Sequence, residues 1–302
     1  MAAKANLTKQ SNINRTAREL DFVTRFANNW EHLIEILGIM RPIRKEPGAV
    51  LKSKKATVTL ANSVGEGEEI PYSQATITEI PYDEMDVEKY SKAVSIEAIK
   101  AYGYDVAVGM TDDAFLNELQ SKVTTRFYNY LNTGELVDTE TTWKRALSMA
   151  KGNVVNKFKK MHRTVTDVVG FVNVLDLYDY LGDAEITVQS AFGFQYLKDF
   201  LGYSTVFLLS DDEIKRGRVI ATPVENLALY YVDPSTSDFV RAGLEYTTDG
   251  ETNLIGFHVQ GNYNTAVSES FAIMGMTLFA EYIDAIAVID LAAAETQDES
   301  AA

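Results

Sequence analysis

Side chains that commonly carry chemistry are few in this sequence and lie far apart. The chain has no cysteine, which excludes disulfides, thiolate metal sites and cysteine nucleophiles. Its three histidines, His32, His162 and His258, lack a second ligand three or four residues away, so the pattern does not predict a transition-metal site. The run Asp211-Asp212-Glu213 offers the carboxylate oxygens that Mg²⁺ or Ca²⁺ prefers, but its place between two apolar strands is more typical of an exposed turn.

Phosphate-binding loops and nucleophile motifs are also missing from the sequence. Gly65-Glu66-Gly67 lacks the third glycine and the following helix of a dinucleotide loop, and no G-x-x-x-x-G-K-[ST] or G-x-S-x-G string occurs. The 16 tyrosines could stack on bases, but they fall on both helices and strands, as core and subunit contacts do. We therefore predict no enzyme activity, no cofactor and no metal site.

Composition and charge narrow the class of protein. The 302 residues can form one large or two smaller domains, and no run approaches the roughly 20 apolar residues of a membrane span, so we expect no membrane partner. The N-terminus lacks the layout of a signal peptide, which favours folding in the cytoplasm. The net charge of −15 argues against a broad basic face for nucleic acid.

The positive charge is concentrated near the N-terminus. Residues 1–55 hold eleven Lys or Arg against five Asp or Glu, a net charge of +6 that leaves −21 for the remainder. Such a basic arm predicts an intersubunit contact or an acidic partner. The alternative is a solvated surface helix with a basic linker.

A long amphipathic helix is the clearest predicted element, and the rest of the chain is organised around it. From Asp112 to Gly134 apolar residues recur every three or four positions, with Thr111 and Asp112 placed to cap the first turn and Gly134 as a left-handed stop. The same spacing predicts a helix over Glu19–Met40, after a polar, mobile start and before an extended linker over Arg41–Ala49. The long helix could also be an ordinary core helix.

Residues 51–94 are typical of β structure. We predict a turn at Gly65–Glu69 and a long hairpin whose arms are Thr76–Ile80 and Val87–Val94. Few large apolar residues occur here, so this hairpin must lie on its own domain or on a neighbour.

In the second half of the chain, the alternation of strand-like and helix-like segments predicts a compact α/β unit from about 165 to 240, followed by closing strands. The predicted helices are Thr139–Ala150 and Val154–Met161 with Gly152 between them, Asp176–Leu181, and Phe194–Leu201 ended by Gly202. The predicted strands are Val165–Val174, Ser204–Leu209, Val219–Ala221, Leu227–Val232, Leu254–Gln260, Phe271–Tyr282 and Ile286–Leu291.

Seven segments in collinear order carry a resemblance to a known family. They are Asp21-Phe-Val-Thr-Arg-Phe, Val64-Gly-Glu-Gly-Glu, Lys92-Ala-Val-Ser-Ile-Glu-Ala-Ile, Phe171-Val-Asn-Val-Leu-Asp, Gly202-Tyr-Ser-Thr-Val, Ile214-Lys-Arg-Gly-Arg-Val-Ile-Ala-Thr-Pro-Val-Glu-Asn-Leu-Ala-Leu-Tyr-Tyr-Val and Leu278-Phe-Ala-Glu-Tyr-Ile-Asp-Ala-Ile-Ala-Val. Together they resemble the short major capsid proteins, or major head proteins, of tailed bacteriophages with the Hong Kong 97 fold. No single string is diagnostic, whereas their order from about Asp21 to Leu291 is specific.

The resemblance implies an α+β fold with a defined division of the chain. Residues 1–56 would be an N-terminal arm and 57–94 an extended hairpin loop that lies across a neighbour. Residues 95–165 would form a peripheral domain whose spine helix is 112–133, with a long strand over Phe271–Ile283. Residues 166–243 would form the axial domain, 244–291 the closing strands of both domains, and 292–302 a disordered tail.

The resemblance also implies function and partners. The chain would assemble with itself as pentamers and hexamers into an icosahedral virion shell, built in the host cytoplasm around double-stranded DNA that it binds without sequence specificity. A portal protein and a decoration protein would be further partners. Our candidates for intersubunit contacts are Glu66 and Glu68 at the hairpin turn, Lys89 and Lys92 in the hairpin region, and Arg18 and Arg25 in the arm, each of which could instead be solvated.

The sequence departs from the family pattern in two respects, and two other functions are alternatives to a phage capsid. The chain has no room for the fused assembly domain of some relatives, so we expect a separately encoded scaffolding protein, and nothing local identifies a partner for a Lys–Asn cross-link. A non-viral shell of the same fold is one alternative, which a cargo-binding groove beneath the N-terminal helix would distinguish. The other is a hydrolase that uses the carboxylates of 211–213.

Overall fold

The structure is a computed structural model that describes residues 10–37, 42–182, 189–191 and 194–292. The helices are α1 Gln10–Leu37, α2 Ile96–Tyr102, α3 Met110–Leu131, α4 Trp143–Lys160, α5 Val174–Leu181 and α6 Ser237–Arg241. The strands are β1 Ile43–Arg44, β2 Val50–Thr59, β3 Gln74–Glu84, β4 Glu88–Ser95, β5 Leu136–Glu140, β6 Val168–Asn173, β7 Gln189–Ala191, β8 Phe194–Lys198, β9 Thr205–Leu209, β10 Arg218–Pro223, β11 Leu227–Tyr231, β12 Ile255–Asn262, β13 Val267–Met274, β14 Met276–Ala280 and β15 Ala287–Leu291. Among these helices, none is long and apolar enough to cross a membrane.

The described strands form four sheets. The largest has seven strands in the order β5-β15-β10-β6-β9-β8-β7, and it mixes parallel and antiparallel pairs. Two three-stranded sheets have the orders β12-β13-β4 and β1-β11-β14, and β2 pairs only with β3 as a two-stranded ribbon. This mixture of helices with separate sheets is the α+β class that the resemblance implies.

Helices α1 and α3 cover one core. The apolar stripe of α3 is buried as predicted, at Leu116, Leu119, Val123, Phe127 and Leu131. The face of α1 that carries Phe22, Val23, Phe26 and Trp30 is buried in the same core. Phe22 stacks on Phe257 of β12 with ring centroids 4.0 Å apart, so α1 packs on the body of its own chain.

Helix α4 covers the other core on the seven-stranded sheet. Its buried residues recur at helical spacing and pack against β10 and β15. The predicted interruption at Gly152 is wrong, because α4 runs through that residue without a break. A single helical glycine costs only about 1 kcal/mol relative to alanine, and burial of Val154 and Phe158 on the sheet outweighs that cost.

The hairpin that the sequence predicts is wrong in its pairing. In the structure the arms of the hairpin are Val50–Thr59 and Gln74–Glu84, with Lys54 opposite Glu79 and Val58 opposite Ala75. Strand β4, predicted as one arm, instead pairs with β13, where Lys92 lies opposite Ser270. The strands themselves were predictable from alternation, but a pairing partner about 180 residues away leaves no local pattern.

Two other predicted elements are also wrong. Residues 194–201 are not helical: Phe194–Lys198 is a strand between β9 and β7, because pairing with the buried strand β9 overrides local helical preference. The single strand predicted over 271–283 is divided at Gly275 between β13 and β14, which belong to different sheets. A Cβ atom at Gly275 would lie 3.0 Å from Cβ of Val232, so the close approach of these two segments favours glycine.

Gly134 ends the α3 region for a different reason from the one predicted. Among the described glycines it is not one of those with positive φ, so it is not a left-handed stop. A Cβ atom there would lie 2.7 Å from the carbonyl oxygen of Ile286. The residue is small because the chain before β15 passes directly over it. From Ala293 onward the predicted tail lies outside the described residues.

Candidate functional site

The N-terminal helix α1 is fixed to the body by a buried ionic cluster around Asp112. Asp112 lies in the first turn of α3, Lys92 on β4 and Arg18 on α1, so three separate elements meet at one carboxylate. The Arg18 guanidinium donates to both oxygens of Asp112, from Nε at 2.6 Å and from Nη2 at 2.8 Å. Lys92 Nζ lies 2.5 Å from the Oδ1 atom of the same carboxylate.

The surrounding groups complete the cluster. Arg18 also donates to the hydroxyl of Ser270 at 3.0 Å, and Lys92 donates to the hydroxyl of Thr111 at 2.8 Å. The side chains of Arg18 and Lys92 are each 14% exposed and that of Asp112 is 9% exposed. A bidentate guanidinium–carboxylate pair of this kind fixes orientation as well as distance.

Burial and the charge of Asp112 determine how the pKa values of Lys92 and Arg18 shift. Burial lowers the pKa of Lys92, and the nearby charge of Arg18 acts in the same direction, so that pKa lies below its ordinary value despite the opposing effect of Asp112. Burial also lowers the pKa of Arg18, but hydrogen bonds and charge from Asp112 and Tyr104 raise it above its ordinary value. One carboxylate therefore compensates two buried cations.

Glu19 makes a second anchor one residue further along α1. Its Oε1 atom accepts from the backbone N–H of Val259 at 2.6 Å, and its Oε2 atom accepts from the hydroxyl of Thr247 at 2.7 Å. Nδ1 of His258 lies 3.5 Å from Oε1. Sequence reasoning missed Glu19 because an acidic residue near the start of an amphipathic helix is an ordinary feature, and its partners lie more than 225 residues away.

The predicted contact residue Arg25 lies two turns beyond Arg18 and is more exposed. Arg25 Nη2 donates to Asp113 at 2.7 Å, with side chains 43% and 56% exposed, and Nε of Arg25 lies 3.4 Å from Asp21. An exposed pair of this kind contributes about 0.2–1 kcal/mol. Arg18, Lys92 and Arg25 thus all have partners within their own chain, and a role between subunits stays a prediction for each.

The other predicted contacts lie on the hairpin and its neighbouring strand. Glu66 and Glu68 are exposed in the loop between β2 and β3, where Glu68 Oε2 accepts from the N–H of Gly65 at 2.9 Å. Lys89 is exposed on β4. The base of the hairpin is anchored, because Leu51 and Met85 are buried with residues of β11 and β14. A contact of the loop with a neighbour stays a prediction.

The carboxylates of 211–213 have local structural partners. Asp211 Oδ1 accepts from the side-chain amide of Asn173 at 2.6 Å, and Glu213 Oε2 accepts from the N–H and the hydroxyl of Ser210 at 2.9 and 3.0 Å. The Glu213 bonds close the turn after β9, and the Asp211 bond joins this turn to the end of β6. Among the described residues, no three His, Asp or Glu side chains are grouped so that they could hold a metal ion.

A groove lies beside the N-terminal half of α1. It has a volume of about 750 Å³ and lies between α1, α2 and the turn that joins β12 to β13. Ala17 and Arg18 of α1 form one wall. A groove beneath the N-terminal helix is the feature that we expected to distinguish a non-viral shell.

Comparison with known proteins identifies the fold. No family model and no curated protein matches the sequence. The structure matches the capsid asymmetric unit of cyanophage A-1(L) with a TM-score of 0.54 and 13% identity, over 85% of this chain and 92% of that one. This chain has the Hong Kong 97 capsid fold. The resemblance carried by the seven sequence segments is therefore confirmed at the level of the fold.

Two further structures show a weaker likeness. A structure from Mycobacterium phage Che8 matches with a TM-score of 0.49 and 9% identity, over 81% of this chain and 85% of that one. An encapsulin complex from Synechococcus elongatus PCC 7942 matches with a TM-score of 0.46 and 11% identity, over 84% of this chain and 86% of that one.

Proposed function

We propose that this chain is the major structural subunit of an icosahedral phage head, assembling as pentamers and hexamers around double-stranded DNA. The observation that carries the proposal is the capsid fold, which it shares with the cyanophage capsid structure over most of both chains. The role is mechanical and needs no catalytic step. Many individually weak contacts, repeated by closed symmetry, would hold the shell together.

The unsupported hairpin favours assembly. Beyond its anchored base, the hairpin exposes large apolar side chains, among them Leu60, Ile70 and Tyr72 in the loop between β2 and β3. A two-stranded hairpin is marginally stable in water by itself, so a covering surface is required. In an assembled shell a neighbouring subunit would supply it.

The proposed division of the chain is the one that the resemblance implies, with one revision. Residues 57–94 would include the extended loop, 95–165 the peripheral domain, 166–243 the axial domain and 244–291 the closing strands. The arm proposed for 1–56 would not be free throughout, since α1 is clamped on its own chain by Arg18 and Glu19.

The partners follow from the proposed shell. A separately encoded scaffolding protein would guide assembly in the host cytoplasm, a portal protein would occupy one vertex, and a decoration protein could bind the finished virion. Packaged DNA would be held without sequence readout. The net charge of −15 supports this view, because like charges repel within a Debye length of about 8–10 Å. An inner surface that proved strongly basic would contradict it.

Negative-stain electron microscopy of the purified protein, alone and with its candidate scaffold, tests the proposal. We expect closed shells or free pentamers and hexamers in at least one of the two samples. A well-behaved monomer or dimer in both would refute the shell function.

The contents of the particles separate the phage head from a non-viral shell. Particles purified from infected cells should contain nuclease-protected double-stranded DNA if the chain encloses a genome. Particles that contain a constant protein cargo and no protected DNA would favour the non-viral alternative. The groove beside α1 does not decide between them, because its position alone does not identify what fills it.

A further inference from the structure

Helix α4 lies in a second basic stretch of the chain, which is more basic than the N-terminal arm. Residues 141–166 hold seven Lys or Arg and no Asp or Glu, a net charge of +7 that leaves −22 for the remainder. A solvated helix is usually stabilised by acid–base pairs three or four residues apart, and α4 can form none of them. The charge of α4 is therefore not the pattern that helix stability in water favours.

The helix dipole accounts for only part of this charge. Lys157, Lys159 and Lys160 lie in the last turn, where the dipole favours cations. The first turn has no acidic residue and instead carries Lys144 and Arg145, which the dipole disfavours. Cations at both ends of a helix without an acid between them indicate that an anionic partner comes from outside α4.

The chain itself supplies acids for two of these cations. Arg145 Nε lies 2.6 Å from a carboxylate oxygen of Glu140, and Lys157 Nζ lies 2.9 Å from a carboxylate oxygen of Asp284. Both acids belong to elements that flank α4 and not to its outer face. The outer face therefore keeps most of its positive charge.

Three lysines on that outer face have no carboxylate partner among the described residues. Lys144 and Lys159 are exposed, and the half-buried Lys151 donates to the carbonyl oxygen of Gly202. Because seven residues make almost two helical turns, Lys144, Lys151 and Lys159 lie along one side of α4 at intervals of about 10–12 Å. We call this side, defined by the three lysines, the basic face.

The basic face leaves room for the backbone of a partner. Ser148 and Gly152 lie between the lysines and are exposed, and a Cβ atom at Gly152 would meet no atom within 4 Å. The opposite side of α4 is buried on the seven-stranded sheet, so only the basic face can receive another molecule. Two helices pack with their axes about 8–10 Å apart, which small side chains at the contact permit.

The spacing of the lysines favours an acidic helix over nucleic acid as the partner. In a helix with an acidic residue at every seventh position, the acids repeat at about 10 Å, close to the interval of the lysines. Duplex DNA carries one negative charge per about 1.7 Å of its axis, so three widely spaced lysines would neutralise little of it. The charge of −22 on the rest of the chain would repel such a polyanion as well.

We propose that the basic face of α4 docks an acidic helix of a partner polypeptide, whose Asp or Glu residues recur about every seven positions. The contact needs no assembled shell, so it goes beyond the proposed function. Its ion pairs would be exposed, and added salt should therefore weaken it.

Synthetic peptides of defined charge pattern test this contact on the full-length protein. The probe is a labelled helical peptide of several heptads with glutamate at every seventh position, and its control has the same composition with the glutamates grouped at one end. Binding would be followed by fluorescence anisotropy at low ionic strength. The variant Lys144→Glu/Lys159→Glu reverses two charges of the basic face. The matched variant Lys100→Glu/Lys122→Glu makes the same change in net charge at exposed lysines of α2 and α3.

We expect the heptad peptide to bind the unmodified protein and the matched variant equally, and the grouped peptide to bind more weakly. Lys144→Glu/Lys159→Glu should weaken binding of the heptad peptide roughly tenfold. Lys144→Gln/Lys159→Gln, which removes the charges without reversing them, should give a smaller loss. An unchanged thermal midpoint would show that these exposed substitutions leave the fold intact. If both peptides bind alike, or if both double Glu variants lose binding equally, only net charge acts and the proposal is wrong.

Other partners would give different results. If a DNA duplex binds more tightly than the heptad peptide and Lys144→Glu/Lys159→Glu abolishes that binding, the basic face contacts nucleic acid and the proposal is overturned. If the same variant lowers association of the protein with itself and the peptide does not bind, the partner is a second copy, which also overturns it. Microscopy of shells is independent of all these results, so the shell function can stand or fail separately.

Discussion

Replacing Asp112 by asparagine should loosen α1 from the body of the protein. The substitution keeps the shape of the side chain but removes the charge that compensates Arg18 and Lys92. Two buried cations would then face one neutral amide and each other. Breaking a buried ion pair from one side costs about 3–5 kcal/mol. The cluster lies close to the surface, where solvent screens part of the interaction, so we expect about 2–4 kcal/mol.

The adjacent residue provides a matched control. Asp113 lies in the same first turn of α3, so Asp113→Asn removes the same charge from the same end of the helix dipole. Its partner Arg25 is 43% exposed, and the expected loss is about 0.2–1 kcal/mol. The difference between the two variants thus isolates the contribution of burial.

Thermal unfolding and hydrogen exchange would measure this difference. Both variants must be compared in the same assembly state and at the same concentration, because association shifts apparent stability. A loss of 2–4 kcal/mol should lower the midpoint by roughly 3–6 °C in a chain of this size, and exchange should accelerate in α1 around Phe22–Leu33. If Asp112→Asn and Asp113→Asn lower the midpoint equally, the ionic cluster does not anchor α1.

A triple variant tests why Asp112→Asn should lower the stability of the protein. If the cost of Asp112→Asn comes from uncompensated cations, replacing all three members with apolar residues should recover much of the stability, as in Arg18→Met/Lys92→Met/Asp112→Leu. A triple variant that is no more stable than Asp112→Asn would assign the cost to lost hydrogen bonds and packing instead.

Three further predictions concern the packing of the two cores. Burial raises the pKa of Tyr203, so the folded chain keeps the phenol proton at a pH above about 10, where the unfolded chain loses it. The stability that this difference contributes should be full below that pH and fall above it. Tyr203→Phe should flatten the fall in alkaline denaturation curves. At neutral pH the same variant should lose about 1 kcal/mol, because the hydroxyl donates to the Leu147 carbonyl at 2.6 Å; an unchanged alkaline slope would contradict the first part. Gly134→Ala should cost about 1–3 kcal/mol in chemical denaturation, because its Cβ would lie 2.7 Å from the Ile286 carbonyl oxygen. A Cβ atom at position 152 would meet no atom within 4 Å, so Gly152→Ala should stabilise α4 by about 0.5–1 kcal/mol. A loss of stability in this variant would show that the helix has less room there than its surroundings indicate.

Elements whose burial is decided locally could be predicted from the sequence. The stripe from Leu116 to Leu131 repeats with the period of a helix, and one buried face was sufficient to specify α3. The strand at Thr205–Leu209 and the helix ending at Leu181 were likewise found near their observed positions. In these segments the local pattern and the tertiary environment favour the same structure.

Pairing between distant segments could not be predicted in the same way. Strand β4 was recognisable, but its partner β13 begins at Val267, and nothing near Lys92 in sequence specifies that partner. Residues 194–198 look helical in isolation and become a strand because β9 offers a buried edge. The pattern defines what a segment can be, whereas the rest of the fold selects among those possibilities.

The ionic cluster around Asp112 could not be predicted either, because its side chains come from segments that are distant in sequence. Asp112 was predicted as a helix cap, and Arg18 and Lys92 as contacts to another subunit, each for a reason that applied to its own segment. Their actual association joins residues 94 positions apart, and no spacing rule reports it. Lys92 and Arg18 were singled out as functional cations, but the acid that unites them was assigned only a local role.

The clamp on α1 changes which parts of the chain are available for assembly. A free basic arm would leave its Lys and Arg residues for neighbours, yet Arg18 and Arg25 have acidic partners on α3 and the apolar face of α1 is buried in its own core. The hairpin is different, since only its base is anchored and its end exposes Ile70 and Tyr72. Contacts between copies through the hairpin would therefore form without displacing any part of the subunit core. Assembly that required α1 to leave would instead have to overcome the Asp112 cluster and the burial of Trp30 together.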